Sequence, residues 1–403
     1  MKKMKLSMCM IARDEEESIG RCLVSVSSVA DEIIVVDTGS KDKTVKIARE
    51  HGAQIIDFPW IDDFSAARNA GLEKAQGEWI LFLDADEELV AEDIPKLREA
   101  LNQEAFPAHF MTLVSLTDEG DDKLEESTFP SLRLFKNLPE HRFTGQIHET
   151  ITPRNPNDEA GVSNVRIRHY GRLSAEDNKR KAARNKPLIE QAGANPDDPQ
   201  HHKFLKANEL RGEGEYEKAV VLYKELFDEL APENDKQLLP GIILDIVLCL
   251  RQLKQPKEVF SWIEEGLKRF PDYTDLEYLR GMTYLDTNQH ELALQSYTAT
   301  LALGDAPVTY RRQEGLGSWK AWEGIAFSFI GLHRYDIAVA SLRRVLEVNK
   351  SHTPALFHLG SLLMHAGHSW DSVERELAQM CDANDPAIKA VFEQLAKTDK
   401  SGT

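Results

Sequence analysis

Cysteine is scarce in this 403-residue chain: Cys9, Cys22, Cys249 and Cys381 are widely separated, and none stands at metal-ligand spacing. That excludes a cysteine-built metal site. Cys9 and Cys22 lie inside apolar patterns and read as buried thiols. Long apolar runs are missing too, since nothing approaches the ~18 residues of a membrane span. Met1–Lys5 is basic, but "LSMCMIA" is too short for a signal-peptide core and runs straight into acids. A cytoplasmic protein without a transmembrane segment is the expectation. Positive charge is also in short supply, with 49 Lys and Arg against 67 Asp and Glu and a net charge of −18. Nucleic acid and broadly anionic membrane surfaces are thereby excluded as partners.

What is present is ordinary globular composition, 41% hydrophobic and 29% charged. The length predicts two or three domains. The most informative segment is "GEWILFLDADEEL". Trp79 to Leu83 reads as a short buried strand, with Asp84 and Asp86 where it leaves the core. Residues two apart on extended backbone point the same way, so both carboxylates can face one hard cation. Such an ion completes its shell with water and substrate phosphates. Alone, the pair is equally well read as a solvated turn.

Upstream, strands and helices alternate. Leu6–Ala12 is an apolar strand, "EEESIGRCLVSVSS" a helix, and "EIIVVD" a strand ending on Asp37 before the turn Thr38-Gly39-Ser40. "KTVKIAREHG" is a helix closed by Gly52, "AQIIDF" a strand, and "DFSAARNAGLEKAQG" a helix feeding the acid-bearing strand. The pattern predicts a mostly parallel sheet with helices on both faces, binding ligands at the carboxyl ends of its strands. Asp37, Asp84 and Asp86 fall on that rim.

"MIARDEEESIGRCLVSV", "DEIIVVDTGSKDKT", "FSAARNAGLEKAQGEWILFLDADE" and "GQIHE" together resemble family 2 glycosyltransferases of the GT-A fold, over roughly the first 170 residues. The resemblance implies an α/β GT-A domain over residues 1–172. Its activity would be inverting transfer from a UDP-sugar, with Mg2+ or Mn2+ bridging the diphosphate. It places Asp37 near the uracil or ribose, and Ala12, Arg13, Asp14, Thr38 and Gly39 along the nucleotide pocket. Asp84 contacts the ribose or holds metal-bound water, beside Ala85, and Asp86 contacts the metal. Arg68 reaches the uracil or phosphates; the alternative is a surface ion pair with Asp62, Asp63 or Glu73. Glu149 is the expected base, with His148 as a third metal ligand or phosphate contact, and the reverse assignment stays open. A His–Glu bond at a strand end is the structural alternative. Arg133, His141, Arg142 and His169 are further candidates for the diphosphate or acceptor. Asp14-Glu15 stands where the family has Asn-Glu. The Q-x-x-R-W signature of processive synthases is absent, which disfavours processive export. A uridylyl- or cytidylyl-transferase wants a glycine-rich basic segment after the first strand, and "ARDEEESIG" supplies none.

Thr117–Thr128 reads as a solvated hairpin loop. Residues 173–200 read as a helical connector whose Lys179-Arg180-Lys181 could close over the donor. From His201 to about residue 398, small or apolar residues recur twelve apart: Ala207/Ala219, Val247/Val259, Gly281/Ala293, Ala326/Ala338 and Gly360/Ser372. Successive pairs are separated by 40, 34, 45 and 34 residues, the signature of tetratricopeptide-like repeats. Such an all-α solenoid offers a groove for a peptide or protein. His201-His202 reads as a helix start rather than a metal pair, and Trp319 as a spare linker aromatic. The expected partners are a UDP-sugar and a peptide, protein or glycan acceptor, with a homodimer through the repeats as a further expectation. The competing reading is a repeat adaptor carrying an inactive nucleotide-sugar fold.

Overall fold

A computed structural model describes residues 5–103, 105–118, 124–147, 149–151, 160–172, 186–189, 199–231 and 238–401. The chain divides into two compact units, Met1–Glu209 and Leu210–Thr403.

In the first unit the expected alternation is realised. Strands β1 (Leu6–Ala12), β2 (Glu32–Asp37), β3 (Gln54–Asp57) and β4 (Trp79–Phe82) alternate with helices α1 (Ile19–Val26), α2 (Thr44–Glu50) and α3 (Phe64–Leu72). The four strands lie in the order β3-β2-β1-β4, all parallel, so their carboxyl ends share one rim. Side chains alternate across β1. Leu6, Met8 and Met10 pack with Ile19, Leu23 and Val26 of α1, while Cys9 joins Ile34, Ile80, Phe82 and Leu72 of α3 on the opposite face. Both faces are therefore helix-covered, which is why these strands are apolar throughout.

Beyond β4 the sheet departs from the mostly parallel expectation. It continues β4-β7-β6-β10-β5, with β5 (Glu87–Leu89), β6 (Ala108–Asp118), β7 (Leu124–Lys136) and β10 (Ala160–Arg172). β6 and β7 form an antiparallel hairpin, β10 runs parallel to β6, and β5 is antiparallel to β10. A small ribbon, β8 (Phe143–Thr144) with β9 (Thr150–Ile151), stands apart. Helix α4 (Ile94–Ala100) joins β5 to β6. Where a loop was expected over Thr117–Thr128, Thr117, Asp118 and Leu124–Thr128 are paired strand; residues 119–123 lie outside the described residues. Lys179–Lys181 fall outside the described residues. Helix α5 (Pro199–Gly212) carries His201 and His202 in its first turn.

The second unit is helical. Its described helices are α6 (Tyr216–Leu230), α7 (Leu239–Gln252), α8 (Pro256–Arg269), α9 (Thr274–Asp286), α10 (His290–Leu303), α11 (Trp319–Gly331), α12 (Tyr335–Val348), α13 (Thr353–His365), α14 (Trp370–Leu377) and α15 (Pro386–Ser401). The repeat shows in the turns. Gly214, Lys254, Asn288, His333 and Gly367 all have positive φ, at the same steps of 40, 34, 45 and 34. After each, an N–H returns to a carbonyl five residues back: Glu215 to Leu210, Gln255 to Leu250, Gln289 to Tyr284, Arg334 to Phe329 and His368 to Leu363. This is the Schellman ending of a helix, repeated five times.

The small residues that gave the period are close-packing sites. A Cβ added at Gly281 would lie 2.9 Å from the Tyr297 ring, and one at Gly324 would lie 2.4 Å from it. Val259, Ala293, Ala326 and Ala338 are buried. In the last unit Val373, not Ser372, is the buried residue. Trp319 is not spare either: it opens α11, packs on the helical core, and its ring lies 4.7 Å from that of His352. The long step before α11 is filled by residues 304–318. Arg311 there pairs with buried Asp245 at 2.7 Å, and Gln313 N–H donates to Asp275 at 2.8 Å.

Candidate active site

Two sequence motifs that are far apart in the chain are one structural piece. Helix α3 is capped by Asp63, whose carboxylate accepts the Ala66 N–H at 2.9 Å. One face of this helix then holds the segment around β8 and β9. Phe64 N–H donates to Gln146 O at 2.9 Å, and Ser65 Oγ to Gly145 O at 2.6 Å. Asn69 exchanges two bonds with the Phe143 backbone, both 2.9 Å. Arg68 Nε donates to Glu149 Oε1. Ser65, Arg68 and Asn69 stand three to four apart, which puts them on one helical face. Gly145 supplies the left-handed turn at φ 97° that brings Glu149 back.

The acid pair is set by a turn rather than by strand alternation. β4 ends at Phe82, and Glu87 N–H bonds Asp84 O at 3.0 Å. Glu87 Oε2 accepts the Asp84 N–H at 2.9 Å, closing the turn reciprocally. Asp84 faces two guanidiniums: Arg68 Nη1 approaches Oδ1 to 3.1 Å and Arg133 Nη2 donates to Oδ2 at 3.2 Å. Arg133 also donates to Glu87 Oε1 at 2.5 Å. On the other side, β10 pairs His169 with Glu87, so His169 Nε2 stands 3.5 Å from Asp86 Oδ2.

Burial raises the Asp84 carboxyl, but Arg68 and Arg133 outweigh it and hold the group well below the usual carboxylate range. For Glu87 burial wins against Arg133, and with the Asp84 charge it pushes the pKa up to about 7. Arg68 is pulled down by burial and more than restored by Asp84 and Glu149, ending above its ordinary value. Its guanidinium also lies 4.1 Å from the centre of the Phe82 ring.

A cavity of about 260 Å3 opens over this floor, lined among others by Ala12, Arg13, Thr38, Trp60, Phe64, Arg68, Asp84, Ala85, Asp86 and His169. Eight residues expected from sequence therefore meet: Ala12, Arg13, Thr38, Arg68, Asp84, Ala85, Asp86 and His169. Asp14, Asp37 and Gly39 do not line it. Asp37 accepts the Gly39 and Ser40 N–H groups at 3.1–3.2 Å, and Asp14 accepts Lys41 N–H at 2.7 Å. These three build the rim loop. Glu149 lies behind Arg68. His148 falls outside the described residues.

Arg68 pairs with Asp84 and Glu149 rather than with Asp62, Asp63 or Glu73. Trp60 and Phe64 were not singled out from sequence, and Glu87 was read only as an extension of the acid cluster, with Glu88. For Glu87 a signal existed: Asp-x-x-Glu is the spacing of a reciprocal cap. Arg133 Nε and His169 Nδ1 are buried with no hydrogen-bond partner, whereas Arg68 Nη1 is engaged by Asp84 Oδ1 at 3.1 Å. A guanidinium that lines a cavity, as Arg68 does, is chemically suited to an oxyanion. No described helix is long and apolar enough to cross a membrane.

Residues 7–152 match the family described as Glycosyl transferase family 2. A TPR repeat-containing protein of Synechococcus elongatus is 46% identical over 147 residues, 36% of this chain and 35% of that protein. The match thus spans about a third of that relative's length. The SPbeta prophage-derived glycosyltransferase SunS of Bacillus subtilis is 28% identical over 308 residues, 73% of this chain and 70% of that protein. Among solved structures, MamA from Desulfovibrio magneticus RS-1 aligns with 50% of this chain and 97% of its own, at 15% identity and a TM-score of 0.37.

Proposed function

With residues 7–152 carrying a family 2 glycosyl transferase domain as premise, we propose that this protein transfers a sugar from a UDP-sugar, with inversion, to a peptide or protein side chain, using Mg2+ or Mn2+. The observation that carries the reading is the meeting of Arg68, Asp84, Asp86 and His169 at one cavity, with Arg133 bonded to Asp84 beside them. Three guanidiniums, Arg13, Arg68 and Arg133, stand at or beside this cavity with five carboxylates, Glu15, Asp84, Asp86, Glu87 and Glu149. A diphosphate would be repelled by that balance unless a cation came with it.

Asp86 and His169 would hold the metal, a small protein share of the kind a divalent ion accepts when phosphates and water complete its shell. Asp84 serves the arginines instead. When bound, the ion stabilises negative charge on the departing diphosphate. Arg68, which lines the cavity, orients that diphosphate, and Arg133 holds Asp84 in place beside it. Ala12, Arg13 and Thr38 flank the nucleoside, and the rim loop built by Asp14, Asp37 and Gly39 fixes its approach. Glu149 or His148 takes the acceptor's proton. The repeat unit supports a peptide acceptor, because stacked helix pairs present long surfaces to extended chains.

The test is calorimetric binding across a panel of nucleotide sugars, with Mn2+ and with chelator. UDP-sugar binding should need the metal and vanish in Asp86→Ala. Binding indifferent to both would end the proposal. In the same assay Glu149→Gln should keep donor affinity while transfer drops at least ~10²-fold if Glu149 is the base; lost donor affinity instead would make it a support for Arg68.

A further inference from the structure

The family match ends at residue 152, yet one wall of the cavity is held from outside it. Trp60 and Phe64 line the cavity, in edge-to-face contact with ring centres 4.8 Å apart. Behind them is a separate apolar cluster of Ile147, Leu188, Ile189 and Leu205, with Phe204 packed on it. Leu205 is 4% exposed and belongs to α5. Without that backing, Trp60 would rest on a loop whose local anchors are few. Its Nε1–H bonds Asp62, a residue at φ 58°.

Strand order tells which part of a ligand this wall meets. The loop bearing Trp60 follows β3, and the acid turn follows β4, with β2 and β1 between. The two ends are therefore three strand spacings apart, about 14 Å. A nucleoside diphosphate held at the acids by its phosphates would lie across the ends of β1 and β2 and present its base to the aromatic wall. Flat rings stack on such side chains whatever their hydrogen-bonding pattern.

We propose that Trp60 stacks the donor's nucleobase with the Phe64 ring beside it, and that Leu205 and Phe204 of α5 are positioning residues that hold this platform in place. The inference rests on the nucleotide-sugar reading above and adds that the donor pocket is completed by a helix beyond the family region.

The experiment titrates UDP with Mn2+ into the full-length protein, followed by calorimetry and tryptophan emission. Wild type should bind with a change in emission that Trp60→Phe removes. Leu205→Ala should weaken UDP about tenfold, in line with a lost base stack, and shrink the emission change, with its melting temperature within a few degrees of wild type. Leu205→Met, which refills the site, should restore both. A folded Leu205→Ala that binds UDP as wild type does overturns the proposal. Should Leu205→Ala fail to fold, Phe204→Ala is judged by the same criterion, since Phe204 sits on the half-buried rim of the cluster. Wild type that binds no UDP sinks the donor reading itself, whereas intact binding with indifferent variants sinks this inference alone.

Discussion

The two units solve burial in opposite ways. In the α/β unit the cavity floor is buried charge: Arg68, Arg133, Asp84 and Glu87 are each tied to an opposite charge. In the repeat unit the interior is interdigitated shape, with the Tyr297 ring seated against Gly281 and Gly324. Buried ion networks are weak sources of stability, and they fail badly when one member is lost. Close-packed helices gain from every contact and fail by degrees. The difference indicates where the chain tolerates stability costs for chemistry and where it does not.

The sharpest way to break this contrast is to remove one charge. Arg133→Met leaves buried Glu87 without its cation, while half-buried Asp84 keeps Arg68. It should destabilise the α/β unit by about 3–5 kcal/mol, the usual penalty for an orphaned buried charge. Arg133→Met/Glu87→Gln should recover much of that loss. Urea unfolding of the single and double variants decides it, and a single variant within 1 kcal/mol of wild type would show that the network is not buried in solution.

A second test asks whether the repeats also hide a charge. Asp275 is 4% exposed, its Oδ2 has no hydrogen-bond partner, and burial, opposed by the Gln313 N–H and Arg311, raises its pKa to about 7. The native state then keeps a proton that the unfolded chain has released above its ordinary value of 3.8. Stability from this group is thus full at low pH and lost as pH rises from about 4 through 7, by roughly 4 kcal/mol at most. Asp275→Asn keeps the oxygen that accepts Gln313 N–H and should flatten the slope. Urea midpoints at pH 5 and pH 8 that move equally in both proteins would remove Asp275 as the cause.

Much of this was legible in the chain. Apolar strands ending on Asp37 and at Asp84 gave the parallel core and its rim, because strand ends and turn residues follow local rules. The turn residues carry the same repeat period in the structure but hid it in the sequence, since Lys254 and His333 are not the glycines that a left-handed turn suggests. The antiparallel second half of the sheet was less legible, because β5 is three residues long and its pairing with β10 is non-local. Asp37 illustrates the limit at the site. A strand-end acid is equally able to bind a ligand or its own turn, and only coordinates show it accepting Gly39 and Ser40. The cluster that brings Trp60 and Leu205 together was hidden for a similar reason: it joins residues more than a hundred apart and leaves no local pattern.

The mildest test sharpens the repeat side of the contrast, using one substitution in two settings. Gly324 sits mid-helix in α11, where an added Cβ would press 2.4 Å from the Tyr297 ring. Gly241 sits in α7 with nothing within 4 Å. Intrinsic preference favours alanine at both, by about 1 kcal/mol. At Gly324 overpacking opposes it with about 1–3 kcal/mol, because a Tyr ring wedged between two helices has no rotamer to escape into. Gly324→Ala should therefore lower the urea midpoint of the repeat unit while Gly241→Ala raises it. If both raise it, the ring is loosely held, and shape complementarity is not what holds the repeat unit together.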